Sequence, residues 1–373
     1  MSLTSLPVEI LDAVCEPLAA FPSTLAKLAL TCTFVTPSAT RALYRSISVS
    51  QYSRTLPLVP LLATRPDLAR LVHEFSITID DTYPVLRAFY LQLRVALCQM
   101  SCIESLVLLV DAGASWILPI HDQPLYHLEH FICSFPLDAQ VCAFLSQTPS
   151  LRLLQIAESP RLDTQVLPDT HVPLLDSYTG PAALLPSLAS RPLSTIHLTG
   201  DLRIEHIPQA AGAPAAGRLN SEPISFPYAA PKHVPCEGIV NARKALRVFS
   251  AITSAPPAEL LEALAVAYPE LAYLRLMTMS AFWEAPDMTL YTRISESLSS
   301  LPALSVFELS GMHWEARSKS ANPSNSRVGD QCIAKEWISP PVTPRALEVP
   351  PGVDMEDTTH SLEFGDSYFD WSY

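Results

Sequence analysis

Apolar residues recur at helical spacing at the start of the chain. Ile10, Val14 and Leu18 follow one another at intervals of four residues, which predicts an amphipathic helix with one apolar stripe. Pro7 suits the first position of a helix, because the backbone N–H that proline lacks has no partner inside the helix there. The pattern therefore predicts a first helix that begins at Leu6 or Pro7.

Two further short helices are predicted before residue 50. Pro22 with Ser23, and later Thr36 with Pro37, combine a residue type favoured at helix caps with a helix-initiating proline. Residues that would share a helical face follow each signal, namely Leu25, Leu28, Ala29 and Cys32 after the first, and Ala39, Ala42 and Leu43 after the second. Three helices of this size cannot bury their apolar faces alone, so another surface must cover part of them.

A different apolar pattern recurs eight times beyond residue 65. Each occurrence has an apolar residue, two variable positions, a second apolar residue, one variable position and a third. The alternation at the end is typical of a strand with one buried face. The triplets are Val72/Phe75/Ile77, Ile103/Leu106/Leu108, Leu128/Phe131/Cys133, Leu151/Leu154/Ile156, Leu193/Ile196/Leu198, Leu246/Phe249/Ala251, Leu271/Leu274/Leu276 and Leu304/Phe307/Leu309.

Helical stretches alternate with these triplets, at 84–100, 138–147, 180–190, 257–267 and 289–300. The first residues of successive triplets lie 23 to 53 positions apart. Helix, turn and strand thus recur as one unit, which predicts an α/β fold whose strands form a parallel sheet. An irregular α/β domain without stacked repeats is the alternative.

Three blocks in the first fifty residues resemble the F-box motif in the form common in fungal proteins: LPVEIL at 6–11, LAKLALTC at 25–32 and ALYRSI at 42–47. Thr31, Cys32 and Phe34 stand where that family often has Val, Ser and an aromatic residue. The resemblance implies that these helices dock on the Skp adaptor of a Skp/cullin ubiquitin ligase. Carried over by position, the adaptor-binding surface consists of Leu6, Pro7, Ile10, Leu11, Val14, Leu28 and Cys32. A three-helix cap that stays buried on the rest of the protein is the alternative.

The body after the helices resembles the degenerate leucine-rich repeats often joined to F-boxes, although the Asn or Cys that usually follows the last apolar strand residue is mostly missing. The resemblance implies an irregular α/β solenoid, in which stacked repeats line one extended surface with their strands. Solvent-facing strand positions would then contact a target protein, or would form a plain solvated face. The candidates are Arg152, Gln155, Thr195, His197, Tyr273, Arg275, Ser305 and Glu308.

Shifts in composition divide the chain into segments. We expect an F-box-like helical domain at 1–50 and an irregular leucine-rich-repeat-like domain at 51–314. Residues 208–240 are rich in Pro and Ala and predict a loop insertion. Residues 315–373 have no apolar period, and seven acids with no Lys or Arg follow Arg345, which predicts a disordered acidic tail. The final SLEFGDSYFDWSY interleaves aromatic residues with acids, as in a short docking motif or a plain acidic tail.

Charge and composition restrict the classes of partner and the compartment that we expect for this protein. The formal net charge is -13 and only 16% of residues are charged, so a basic field for nucleic acid is not expected. The N-terminal residues up to Ala26 include no Lys or Arg, which argues against a secretory signal, and Pro and Asp residues interrupt the apolar runs that a membrane span would need. The eight cysteines have no paired short spacings. We expect a soluble cytoplasmic or nuclear protein.

Candidate chemistry is sparse. The sequence has no GxGxxG, GxxxxGK(S/T), GxSxG or HExxH motif. His127 and His130, with Cys133 and His121 nearby, come closest to a metal site, but they overlap a predicted strand, which favours structural histidines. Cys98 and Cys102 would share a helical face and pack in the core. We therefore expect no enzyme activity, no cofactor and no metal.

Three functional hypotheses follow from these observations. The first is a substrate-recognition subunit that holds the Skp adaptor, and through it a cullin, with one part of the chain and a target protein with the other. The second is an interaction scaffold with no role in ubiquitination. The third, a hydrolase or metal enzyme, needs a constellation of residues that the sequence does not display.

Overall fold

Three short helices open the described part of the chain, and a twelve-stranded sheet follows them. The structure is a computed structural model that describes residues 6–50, 55–79, 85–120, 123–158, 166–208, 245–278, 288–310, 312–318 and 335–338. All of these residues belong to one compact unit, residues 1–339. The fold is mixed α/β with a long, mostly parallel sheet, as the repeating helix–strand pattern predicts.

The helices and strands have the following bounds. The α-helices are α1 (Val8–Cys15), α2 (Pro22–Ala29), α3 (Thr36–Arg45), α4 (Leu58–Thr64), α5 (Pro66–Ala69), α6 (Arg87–Gln99), α7 (Ala139–Leu145), α8 (Leu185–Leu188), α9 (Pro257–Ala267) and α10 (Met288–Ser299). The strands are β1 (Ser46–Ser50), β2 (Glu74–Thr78), β3 (Ser105–Leu109), β4 (His130–Cys133), β5 (Leu153–Gln155), β6 (Ser177–Pro181), β7 (Thr195–Asp201), β8 (Val248–Thr253), β9 (Tyr273–Thr278), β10 (Val306–Leu309), β11 (Met312–Ser318) and β12 (Lys335–Ile338).

The first three helices form where the proline signals predict them, with small differences at their ends. Pro7 is the N-cap residue of α1 and not its first helical residue. Pro22 begins α2, whereas Ser23 lies inside it and makes no capping hydrogen bond. Cys32 falls beyond the end of α2, where its carbonyl oxygen accepts a 2.9 Å hydrogen bond from Thr36 Oγ1 at the start of α3. The prediction that Cys32 lies on the second helix is therefore wrong.

The order of strands in the sheet is the order of strands in the chain. Neighbouring strands from β1 to β10 pair in parallel, and β11 and β12 extend the sheet in antiparallel orientation. A register shift between His197 and Asp201 interrupts the pairing of β7 with β8. Each successive strand therefore pairs with the edge left by the strand before it.

All eight apolar triplets point their side chains into the core, which confirms the predicted buried face. The middle residues of the triplets are in register across the sheet: Phe75 aligns with Leu106, and Phe131 with Leu154. Ile47 begins this buried row in β1, and Phe307 continues it in β10. The core is therefore a continuous ladder of apolar side chains between the sheet and its helices.

Several predicted boundaries are wrong. Strand β1 lies within residues 1–50, so the segment predicted to be wholly helical also supplies the first strand of the sheet. Strands β11 and β12 occupy 312–318 and 335–338, although a disordered tail was expected from 315. The predicted helix at 180–190 is limited to a 3-10 turn and the four-residue α8, because residues 177–181 form β6. The predicted insertion from 209 onward lies outside the described residues.

Candidate partner-binding surfaces

The N-terminal helices have a small core of their own, formed by Cys15, Leu25 and Ala39. Leu11 and Cys15 are the buried residues of α1 and lie one helical turn apart. This orientation leaves the adjacent stripe, Ile10 and Val14, 48% and 47% exposed. The helices thus bury one apolar stripe and leave a second one open to solvent.

The predicted adaptor-binding residues divide into three groups by exposure. Pro7, Ile10 and Val14 are exposed. Leu6, Leu28 and Cys32 are half-buried, and Leu28 packs against the small core of the helices. Leu11 is only 2% exposed, so its side chain stabilises the packing of α1 and adds no open surface.

Four further apolar side chains near these helices are exposed and were not among the predicted contacts. They are Val8, Phe21, Leu30 and Phe34, of which Leu30 is 88% exposed. Phe21 and Leu30 flank the ends of α2, where the sequence offers no periodic signal for their orientation. The sequence feature that could have indicated these exposed side chains is the apolar content of residues 1–50, which exceeds what three short helices can bury. We name the set Val8, Ile10, Val14, Phe21, Leu30 and Phe34 the N-terminal apolar surface.

An ion pair joins the first helix to the third. Arg41 Nη2 donates to both carboxylate oxygens of Asp12, at 2.7 and 3.0 Å, and lies 3.1 Å from Ser38 Oγ. Partial burial opposes ionisation of Asp12, but the hydrogen bonds from Arg41 and Ser38 outweigh it, and the pKa of Asp12 lies below its ordinary value. The pair adds a polar contact between α1 and α3 to the buried packing of Leu11 and Cys15.

A cleft of about 470 Å³ separates these helices from the first strand units. Glu9, Glu16 and Arg45 of the N-terminal helices line it together with Arg70. His73 also lines the cleft, and its Nδ1 lies 2.9 Å from Glu104 Oε1. That contact is the first cause of the lowered pKa of Glu104. The cleft therefore carries charged groups of both signs.

The open face of the sheet brings several predicted target-binding residues into one row. In register, Gln155 aligns with Thr179, Thr179 with His197, and His197 with Ser250. The row continues from Ser250 to Arg275 and Glu308. Four of the candidates thus lie side by side on one face, although up to 153 residues separate them in the chain (308 − 155).

The other candidates lie beside this row. Tyr273 belongs to the neighbouring row with Thr195. Ser305 and Arg152 come immediately before their strands, and Arg152 Nε lies 3.8 Å from Glu129 Oε2. Arg152 therefore lies at the edge of the open face and not within it.

Charge is concentrated where β9, β10 and β11 meet. Arg275 Nε lies 3.3 Å from Glu308 Oε2, and His313 Nδ1 lies 3.1 Å from Glu308 Oε1. His313 Nε2 is 3.5 Å from Glu315 Oε1. Burial, with the nearby charge of Arg275 as the second cause, lowers the pKa of His197. His313 and Glu315 were missed by sequence reasoning, because the last predicted strand ends at Leu309 and a disordered tail is expected from 315.

The row that contains Gln155 is uncharged over its first strands. The row that holds Gln155 begins with Ser48 and Ser76 and continues through Val107 and Ile132. This row thus changes along the sheet from hydroxyl groups, through aliphatic side chains, to the charged cluster around Glu308. Such a gradient provides different chemistry to different parts of one large partner.

The histidine cluster resembling a metal site does not converge. His130 and Cys133 lie on opposite faces of β4, and burial raises the pKa of the Cys133 thiol to about 12. His127 is exposed ahead of that strand, and His121 lies outside the described residues. Within the described ranges, no group of three or more His, Cys, Asp or Glu side chains could hold a metal ion. The helices in these ranges also include none long and apolar enough to cross a membrane.

Comparison with known proteins provides no family assignment. The chain matches no protein-family model and has no significant match among curated protein sequences.

Proposed function

We propose that this chain is a substrate-recognition subunit of a Skp/cullin/F-box ubiquitin ligase. In this proposal the N-terminal helices are an F-box that docks on the Skp adaptor, and the sheet-bearing body is an irregular leucine-rich-repeat-like solenoid that holds a target protein. The observation that carries the proposal is the N-terminal apolar surface, which lies on the same helices whose sequence resembles the F-box motif.

The exposure of this surface favours docking over a buried cap. In a cap, the apolar stripes of α1 would be covered by the body, whereas Ile10 and Val14 remain about half exposed. Several exposed apolar side chains on one small helical unit are typical of protein–protein contact sites. The buried side chains of Leu11 and Cys15, together with the Arg41–Asp12 ion pair, hold α1 in this orientation before any partner binds.

The sheet supports the second half of the proposal. Its strands follow chain order and its open face carries polar and charged side chains such as Gln155, Arg275 and Glu308. Stacked repeats use such a face to contact large partners. The mechanism would be tethering, because holding a target near the conjugating enzyme of the assembled ligase raises the effective concentration of the target's lysines. The chain would carry out no chemistry itself.

A binding experiment with purified Skp adaptor tests the docking surface. Ile10→Ser together with Val14→Ser removes two apolar side chains that are about half exposed in the free chain. If each contributes about half of its full burial energy, the pair accounts for about 2 kcal/mol, or roughly thirtyfold in Kd. Calorimetric titration of wild type and variant measures this difference.

The matched control is Leu174→Ser with Val266→Ser, which removes two exposed apolar side chains outside the N-terminal helices. It should bind the adaptor as the wild type does. No adaptor binding by the wild type, or equal weakening by both double variants, contradicts the proposal. Adaptor binding without assembly of the cullin would instead support the scaffold that has no role in ubiquitination.

A further inference from the structure

Helix α6 has a second apolar stripe that faces away from the core. Its buried side chains are Tyr90, Leu93, Ala96 and Leu97. On the opposite side, Leu91 and Val95 lie one turn apart and are 48% and 46% exposed. The helix is therefore apolar on both faces, but only one face is covered within the described part of the chain.

The same outer face carries only positive charge. Positions 87, 91, 94 and 98 are spaced by four, three and four residues, so Arg87, Arg94 and Cys98 share the face with Leu91. Residues 87–99 include no acid. Arg94 makes no hydrogen bond or ion pair with any residue that the structure describes. The guanidinium of Arg87 lies 5.8 Å from the ring centroid of Trp116, and this contact orients it at the start of the helix.

The outer face of α9 provides a contrast on the same protein. It also exposes an apolar side chain, Val266, at 71%. Its charged residues, however, are the acids Glu259 and Glu262, and Glu262 pairs with Arg293 at 2.8 Å. The combination of apolar anchors with arginines on α6 that make no ion pair within the described ranges is therefore not a general property of the helical layer.

We propose that the outer face of α6 binds an acidic amphipathic helix of a partner protein. Leu91 and Val95 would be the apolar anchors, and Arg87 and Arg94 would pair with carboxylates on either side of them. Charge complementarity selects this partner, because two arginines beside apolar side chains attract acids and repel basic segments. Docking of one amphipathic helix on apolar anchors spaced by a helical turn is a recurring mode of recognition. The proposal is independent of the proposed ligase role.

Two synthetic helical peptides with the same leucine stripe test this proposal. One carries Glu and the other Lys at the flanking positions, and fluorescence anisotropy measures the binding of each to the full chain. We expect the acidic peptide to bind the wild type at least about tenfold more tightly than the basic one. The affinity for the acidic peptide should fall as salt is added, because the charges are exposed.

Variants locate the binding to the helix. Arg87→Glu with Arg94→Glu should invert the preference between the two peptides, and Leu91→Ser with Val95→Ser should weaken the acidic peptide at least about tenfold. Arg70→Glu with Arg203→Glu makes the same change in net charge at exposed arginines elsewhere and should keep the wild-type preference. Circular dichroism melting curves check that each variant is folded.

Three results would overturn the proposal. The first is a wild type that does not bind the acidic peptide, and the second is an inverted preference in the Arg70/Arg203 control. The third is self-association of the wild type in analytical ultracentrifugation that the α6 variants abolish, since that would assign this face to a second copy of the chain.

Discussion

The guanidinium of Arg191 connects the loop that contains Pro168 and His171 to helix α8. Replacing Arg191 tests how much these contacts stabilise the fold. Its side chain is only 1% exposed. Nη2 donates to the carbonyl oxygens of Pro168 at 2.7 Å and His171 at 3.1 Å, Nε donates to His171 at 3.3 Å, and Nη1 donates to Ser187. Burial lowers the pKa of Arg191, and the charge of Asp169 partly opposes this shift. We predict that Arg191→Ala strongly destabilises the fold.

The magnitude follows from the hydrogen bonds that are lost. A hydrogen bond to a charged group contributes about 1.5 to 3 kcal/mol net, so the contacts to Pro168 and His171 alone account for about 3 to 6 kcal/mol. Pro168 is exposed, and water can reach its carbonyl oxygen after truncation. We therefore expect a loss of about 3 kcal/mol for Arg191→Ala. Arg191→Lys keeps the charge but not the planar fork, and should lose about 2 kcal/mol.

Urea unfolding followed by circular dichroism measures these losses. Arg203→Ala is the matched control, because Arg203 is 64% exposed and its ion pairs, at 3.4 Å from Asp201 and 3.6 Å from Glu205, lie on the surface. Its effect should stay within about 0.5 kcal/mol. The reasoning is refuted if Arg191→Ala costs less than about 1 kcal/mol, or if Arg191→Lys is as stable as the wild type.

Three further predictions concern the packing of the sheet and its helices. Phe131→Ala, in the buried row, should lower the free energy of unfolding in urea by about 3 to 5 kcal/mol. Leu109→Ala is the control because Leu109 is 37% exposed, and an equal or larger loss for Leu109→Ala would contradict the buried ladder. Because the pKa of His197 is lowered in the folded protein, the unfolded chain binds a proton at this histidine more readily than the folded protein does. The free energy of unfolding should therefore be unaffected by His197 above pH 6.5, and should decrease as the pH falls from 6.5 through the lowered pKa. His197→Gln should remove that dependence from the pH profile of urea midpoints, and an unchanged profile would argue against it. In native protein at pH 8, thiol labelling followed by peptide mass spectrometry should modify the exposed Cys98 before Cys133, whose burial raises its pKa to about 12; the reverse order would be inconsistent with this packing.

The sheet could be predicted from sequence where apolar alternation is strong. The triplets around Phe75, Leu106 and Phe131 identify their strands because each has two inward-facing anchors and a third that packs ahead of the strand. Strand β6 was missed, since Gly180 and Pro181 are residue types that strands disfavour. It forms because β5 and β7 pair with it on both sides.

The candidate surfaces were less predictable than the fold. Helical spacing identified Ile10 and Val14, but it did not separate them from Leu11, because the side of α1 that faces α3 depends on tertiary contacts such as Arg41–Asp12. The row from Gln155 to Glu308 followed from strand alternation alone. Its continuation into His313 did not, because antiparallel pairing of β11 with β10 has no signal in the apolar pattern.

The chain-ordered sheet also determines how the protein would respond to mechanical force. Each strand from β1 to β12 has as its sheet neighbours the strands adjacent to it in sequence. Tension applied between the two ends would therefore load one strand interface at a time, from either end inward, and would not shear the whole sheet at once. Such a molecule lengthens in steps at low force and re-forms by adding units back to a surviving edge, so a pulled complex would lose its outermost strands before its centre.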